Sequence, residues 1–164
     1  MSGPNLTAQD LLAWLEKTSS GWRQLLTRHP ELLATPCDIM EVATAGQLLQ
    51  HIVAVELRYA ERLADLPPTD YSSIPYDSAE SLYAIHDRAI TLLKQLLATD
   101  IDWDAPIEFA TRTMGPARST RKTIFFHALL HGIRHYAQLA TLARQHGIKP
   151  DWPMDYLLMD IEPV

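Results

Sequence analysis

The chain has 164 residues, and its 14 Lys and Arg against 20 Asp and Glu give a formal net charge of −6. This length fits one domain over residues 1–164 that buries its own core, and it excludes a two-domain enzyme with separate cofactor and substrate lobes. The acidic balance argues against a nucleic-acid partner, because proteins of that class derive their affinity from clustered Lys and Arg.

Four long segments repeat apolar residues at steps of three and four, which is the spacing of an amphipathic helix. Turn-forming Pro, Asp, Ser and Gly dominate the connections, and no connection has a pattern that clearly indicates a strand. The longest connection, Asp100–Ser119, is a candidate for shaping the mouth of a site. In chain order, the predicted helices are Thr7–Arg28, Thr44–Asp65, Ala79–Ala98 and Thr120–His146.

Capping residues mark the ends of these helices. Thr7 and Thr44 are good N-caps, and each is followed three residues later by a side chain that can complete a capping box, Asp10 and Gln47. Gly147 is typical of the left-handed residue that ends a helix. Four amphipathic helices in one short chain need a shared core, so we predict an all-α fold, an up-and-down four-helix bundle.

The cellular setting is suggested by what the sequence lacks. Its single cysteine, Cys37, cannot form an intrachain disulfide, which favours a reducing compartment. The first residues have no basic region followed by an apolar run, so we expect no signal peptide. No apolar run approaches the ~18 residues of a membrane span. We therefore expect a cytoplasmic protein with no membrane partner.

Three of the seven histidines, His127, His131 and His135, lie on the fourth predicted helix. Neighbours four residues apart lie ~6 Å apart along the axis and can share an ion, whereas all three span ~12 Å. The apolar stripe passes through His131 and His135, where a plain bundle would have Leu, and a buried imidazole needs a partner. Spacing alone leaves either adjacent pair as a candidate for metal binding, with ordinary hydrogen-bonded core histidines as the alternative.

His51 lies on the inward stripe of the second predicted helix. Together with a pair from the fourth helix it would supply three neutral imidazoles, a ligand set that suits Zn, Ni, Cu or Fe(II). His86 borders the apolar stripe of the third helix and is a substitute or a fourth ligand in this hypothesis. Glu56 lies ~140° around the helix from His51, and we interpret it as a charge on the helix flank near Arg58 and Arg121.

These residues resemble a known family. The segment HIVAVE at residues 51–56, the segment HGIRHYAQ at residues 131–138 and a Gly–Pro exit from the last helix are similar to the DinB/YfiT-like group of metalloproteins. That group has an HxxxHRGQ-like motif, in which Tyr136 and Ala137 of this chain replace the Arg and Gly. The resemblance extends over nearly the whole chain in the number and order of helices.

The resemblance implies a four-helix bundle with one divalent ion held by His51, His131 and His135, and it thereby selects between the two pairs. Characterised members of the group include mycothiol-dependent maleylpyruvate isomerase and bacillithiol S-transferases, whose metal engages a low-molecular-weight thiol. The resemblance therefore implies an S-transferase or isomerase that uses such a thiol on a small-molecule substrate.

Two other functions remain open. Three neutral ligands leave a coordination position vacant, and a bound water there would suit a metal-dependent hydrolase, but the sequence identifies no catalytic base. A non-catalytic metal-binding protein associated with stress or damage is the other alternative. We also predict a homodimer. The helices have more apolar residues than one narrow core seam can bury, so Trp14, Trp22 and Phe125 are expected to face a partner chain, and the family resemblance also implies a dimer.

Overall fold

The computed structural model describes residues 4–111 and 114–163, and four α-helices form a bundle in this part of the chain. The predicted all-α fold and four-helix bundle are confirmed, with the addition of a small two-stranded sheet. The elements are α1 (Ala8–Arg28), α2 (Ala45–Leu63), α3 (Ala79–Leu97), β1 (Pro106–Thr111), β2 (Gly115–Thr120) and α4 (Arg121–Gln145).

Each helix begins at a side-chain cap. The hydroxyl of Thr7 accepts a hydrogen bond from the Asp10 backbone N–H, and the Asp10 carboxylate accepts one from the Thr7 backbone N–H in return. At Thr44, Ser78 and Thr120, which precede α2, α3 and α4, the cap side chain likewise accepts a hydrogen bond from the backbone N–H three residues later. The capping box expected of Thr44 and Gln47 is wrong in one half, because the Gln47 side chain accepts from the Ala43 backbone N–H instead. These short local contacts satisfy orphan backbone donors, which is why the sequence located the helix starts well.

The direction of the helices departs from simple up-and-down alternation. Successive positions along α2 contact successive positions along α3, from Glu56 with His86 to Glu61 with Arg88, so these two helices run parallel. In contrast, α2 and α4 run antiparallel. Arg121 at the start of α4 donates a hydrogen bond to the carbonyl of Leu63 at the end of α2, whereas His131, further along α4, contacts the earlier residue His51. The connection 64–78 therefore crosses the bundle lengthwise. Whether two helices run parallel or antiparallel depends on which helices become neighbours in the bundle. The apolar periodicity of each helix does not predict which helices these are.

The segment Asp100–Ser119 was expected to be irregular, and this expectation is wrong for most of it. Its second half forms an antiparallel hairpin in which β1 pairs with β2 from Pro106 opposite Thr120 to Thr111 opposite Gly115. A proline in each strand and their shortness obscure the alternating pattern that predicts a strand. Phe109 of β1 packs edge-on against Tyr59 of α2, with ring centroids 6.3 Å apart.

The bundle core takes up the aromatic residues that we expected to face a partner chain. Trp22 and Phe125 are buried within the chain, at 0% and 1% exposure, so the interpretation of these rings as an outward surface is wrong. Trp14 is half-buried, and its indole Nε1 donates a hydrogen bond to the carbonyl oxygen of Met154. The residues after α4 fold back over α1 and contact Trp14 and Trp22, and Trp103 packs against Phe125.

The C-terminal segment 148–163 lies along α1. Asp151 forms an ion pair with Arg28, and Lys17 donates a hydrogen bond to the carbonyl of Leu158. Trp152 packs edge-on against Trp22 with ring centroids 5.2 Å apart and lies directly over Gly21. The absence of a side chain at Gly21 is what allows the indole to approach the helix backbone so closely.

None of the helices within residues 4–111 and 114–163 combines the length and the apolar character required to cross a bilayer.

Candidate metal centre

Three imidazoles from two helices converge inside the bundle. The Nε2 atom of His131 lies 3.1 Å from Nε2 of His51 and 3.2 Å from Nε2 of His135. One nitrogen from each of the three rings lies within 4.8 Å of the other two. His131 and His135 are buried and His51 is half-buried, so the cluster is open on one side only.

The local sequence explains this convergence. The four-residue step between His131 and His135 places both rings on the buried face of α4, between Ala128 and Leu139. His51 precedes the fully buried Ile52 on α2 and projects toward the same interior face. Because α2 and α4 pack as antiparallel neighbours, the imidazole from one helix meets the pair from the other.

The spacing of the nitrogens fits a divalent ion. Zn–N bonds of ~2.0–2.1 Å place the nitrogens of a tetrahedral site ~3.3–3.4 Å apart, close to the two separations seen here. A neutral imidazole nitrogen has either one lone pair or one proton, so Nε2 of His131 cannot satisfy both neighbours by hydrogen bonding. One shared cation would accept all three lone pairs. The residues present therefore fit a metal ion better than they fit one another.

A hydrogen bond fixes the ring of His135 in the form that binds metal. Its Nδ1–H donates to the side-chain oxygen of Gln138, at 2.6 Å. With the proton held on Nδ1, the lone pair of Nε2 points into the cluster. Metal-ligating histidines usually have such a partner on their second nitrogen, because it sets both the tautomer and the orientation of the ring.

The environment keeps the cluster neutral. Burial lowers the pKa of His131 to about 2, and the positive charge that His135 and His51 would carry adds to this effect. Burial also lowers the pKa of His135, against a smaller opposing contribution from its hydrogen bond to Gln138. Neutral imidazole is the form that coordinates metal, so these ligand atoms are available without first losing a proton at neutral pH.

His127, the third histidine of α4, lies at the mouth of the cluster. It is exposed, and its ring centroid lies 5.4 Å from that of His131 and 5.3 Å from that of Tyr59. It does not belong to the group of converging nitrogens among the described residues. The structure thus brings together His51, His131 and His135, the set that the resemblance selected, and leaves the alternative pair with His127 apart.

Glu56 and His86 are where the sequence analysis was wrong. Glu56 is fully buried rather than a charge on the helix flank, and its carboxylate lies 2.6 Å from Nδ1 of His86. The other nitrogen of His86 is 2.9 Å from the hydroxyl of Ser19. Both ring nitrogens are therefore engaged, which removes His86 as a substitute or fourth ligand. The signal was present, because Glu56 lies four residues after the stripe residue Ile52.

The remaining candidates line the surroundings without entering the cluster. Tyr59 packs between Phe109 and His127 at the mouth. Cys37 is a half-buried free thiol in the connection between α1 and α2, packed against the core. Among the described residues, no carboxylate or thiol joins the three imidazoles that could hold an ion.

The family model described as the DinB family matches residues 1–163, almost the entire chain. No protein with a curated description matches the sequence.

Proposed function

Because this chain belongs to the DinB family, we propose that it is a metal-dependent enzyme that holds one divalent ion, Zn, Ni or Fe, with His51, His131 and His135. We propose further that it uses a low-molecular-weight thiol in an S-transferase or isomerase reaction on a small organic substrate. One observation carries the proposal: three imidazole nitrogens converge, and the described residues offer no fourth protein ligand. Structural zinc sites are usually closed by four protein ligands, whereas catalytic sites keep a position open.

The chain's own residues divide the work at such a site. Gln138 holds His135 in its ligating tautomer, and the buried core around His131 keeps that ring neutral. Tyr59 and Phe109 form an aromatic wall at the mouth that excludes water and accepts an apolar body. When bound, a divalent ion would supply a Lewis acid that lowers the pKa of a thiol or water in the open position.

The first experiment is elemental analysis of protein purified without a metal-affinity tag, followed by a screen of small thiols against organic electrophiles. We expect one equivalent of metal, and thiol-dependent turnover that His131→Ala abolishes and His127→Ala retains. Hydrolysis of esters or amides without added thiol would replace the proposal with a metal-dependent hydrolase. Metal binding without turnover over a broad panel would replace it with a non-catalytic binding protein.

Two further parts of the proposal concern the cell. We propose a cytoplasmic location on the basis of the single unpaired Cys37. We propose a homodimer on the basis of the family alone, because the aromatic rings that suggested a partner surface pack within the chain. Light scattering of the purified protein tests the homodimer, and a monomer at micromolar concentration would contradict it.

A further inference from the structure

Arg134 reaches over the metal centre from the surface. The residue is exposed, yet its Nη2 atom lies 3.1 Å from Nε2 of His135 and donates a hydrogen bond to it. That nitrogen is one of the three that converge. The guanidinium is therefore placed beside the same space that a metal ion would share with its exogenous ligand.

The charge of Arg134 has no counter-ion in the described part of the chain. Several other arginines form ion pairs, for example Arg23 with Asp87 and Arg28 with Asp151. Within residues 4–111 and 114–163, no carboxylate forms an ion pair with Arg134.

The guanidinium of Arg134 would require an anion as its partner once a metal ion binds to the three histidines. The lone pair of His135 Nε2 would then be used by the ion, so the guanidinium would lose the acceptor that it has in this structure. A guanidinium and a divalent ion also repel each other strongly across a few ångströms of partly buried space. An anion between them satisfies both, and a carboxylate matches the planar donor fork of arginine.

The surroundings of the three histidines next to His127 are aromatic. Tyr59 stands between His127 and Phe109, with ring centroids at 5.3 Å and 6.3 Å. The cation of Arg62 lies over the outer faces of Tyr59 and Phe109, at 5.3 Å and 5.0 Å from their centroids. The surroundings of the three histidines thus combine the guanidinium of Arg134 with aromatic side chains, which together are complementary to an organic acid that has an apolar body.

We propose that Arg134 forms an anion subsite that binds the carboxylate of an organic acid substrate beside the metal, with the apolar body of the acid against Tyr59 and Phe109. This inference rests on the proposed function, because it requires an ion on the three histidines. It goes further by naming the class of substrate and the residue that selects it.

The test uses the full chain loaded with Co²⁺, whose visible absorption spectrum reports on ligands at the metal. Titration with benzoate is expected to change the spectrum of the wild type, and the neutral analogue benzamide is expected to bind more weakly. Arg134→Gln should raise the Kd for benzoate by at least about tenfold, the usual loss for a charge-assisted hydrogen bond. The control is Arg144→Gln. Arg144 is also exposed on α4 but its side chain is bonded to Thr141, so this substitution should leave the Kd for benzoate unchanged.

Competition with a chelator measures Co²⁺ affinity separately, and it is expected not to fall in Arg134→Gln because a repelling charge has been removed. Co²⁺ binding with equal benzoate Kd in the wild type and Arg134→Gln overturns the subsite alone. Benzamide binding as tight as benzoate, or no benzoate binding by the wild type, overturns it as well. Failure of the wild type to bind Co²⁺ overturns the proposed metal centre and the subsite with it.

Discussion

The carboxylate of Glu56 on α2 lies 2.6 Å from Nδ1 of His86 on α3, with both side chains almost completely buried. The hydroxyl of Ser19 on α1 continues this contact at 2.9 Å from the other nitrogen of His86. The second carboxylate oxygen of Glu56 faces Gly132 of α4, where an added Cβ would lie 3.0 Å away. One buried polar chain therefore joins three helices and abuts the fourth, next to the metal centre.

Breaking this pair from one side is expected to be costly. His86→Gln leaves a buried carboxylate without its partner, and we expect it to lower the free energy of unfolding by about 3–5 kcal/mol. Glu56→Gln should be similarly destabilising, whereas the double variant should lose much less than the sum of the two. Urea unfolding of all four proteins measures the coupling.

The exposed ion pair between Lys94 of α3 and Glu16 of α1 provides the control, since it also ties a neighbouring helix to α3. Single and double variants of Lys94 and Glu16 should give a coupling free energy of less than about 1 kcal/mol, because both side chains are in contact with water. Equal coupling energies in the two cycles would contradict the role that we assign to burial.

The same pair makes stability depend on pH. Burial alone would lower the pKa of His86, but the charge of Glu56 and the hydrogen bond to it raise that pKa above 6.5. The folded state therefore keeps a proton that the unfolded state loses. The stabilisation is complete below pH 6.5 and is lost as the pH rises through the folded pKa.

We therefore expect the difference in unfolding free energy between the wild type and His86→Gln to shrink over the pH interval that begins at about 6.5 and rises through the folded pKa of His86. Urea unfolding at several pH values provides the measurement. A difference that stays constant or grows over this interval would show that His86 is not protonated in the folded protein.

Metal affinity should resist acid more than ordinary histidines would. Three imidazoles of normal pKa would lose affinity steeply below ~6.5, by up to about three log units per pH unit. Here burial lowers the pKa of His131 to about 2 and also lowers that of His135. We expect a clearly shallower slope in Zn²⁺ competition titrations below that pH, and the full slope would contradict neutral ligands in the apo protein.

Removal of single histidines tests the ligand set directly. His131→Ala and His135→Ala should each lower metal affinity by several orders of magnitude, and His51→Ala should weaken it while the helical circular dichroism is kept. The helices have their own apolar core, so the fold should not depend on the ion. His127→Ala is the control on α4 and should bind metal normally. If His51→Ala lost its metal and its helical circular dichroism together, the ion would have a structural role instead.

The parts of this molecule that the sequence predicted depend on short-range signals. Thr7 and Thr44 cap their helices through residues three positions away, and the four-residue step sets His131 beside His135. The partnership of Glu56 with His86 was not predictable, because it requires knowing that α2 and α3 are parallel neighbours. The docking of the C-terminal segment escaped for the same reason, since its contacts with α1 join residues distant in sequence. The hairpin is local, and it escaped because its strands are short and each contains a proline.

Gly21 gives the sharpest test of that docking. An alanine in the middle of a helix normally stabilises it by about 1 kcal/mol relative to glycine. At this position, however, the added Cβ would overlap the indole of Trp152, which packs against the fully buried Trp22. We expect Gly21→Ala to lower the free energy of unfolding by about 1–3 kcal/mol and to change the tryptophan fluorescence of the native state.

Two further variants separate this clash from other effects of the substitution. Ser20→Ala, one residue earlier and exposed, should change stability by less than about 0.5 kcal/mol. In a Trp152→Ala background the overlapping ring is gone, so Gly21→Ala should become neutral or stabilising, as helix propensity alone requires. If Gly21→Ala destabilised both backgrounds equally, the C-terminal segment would not lie over α1 in solution.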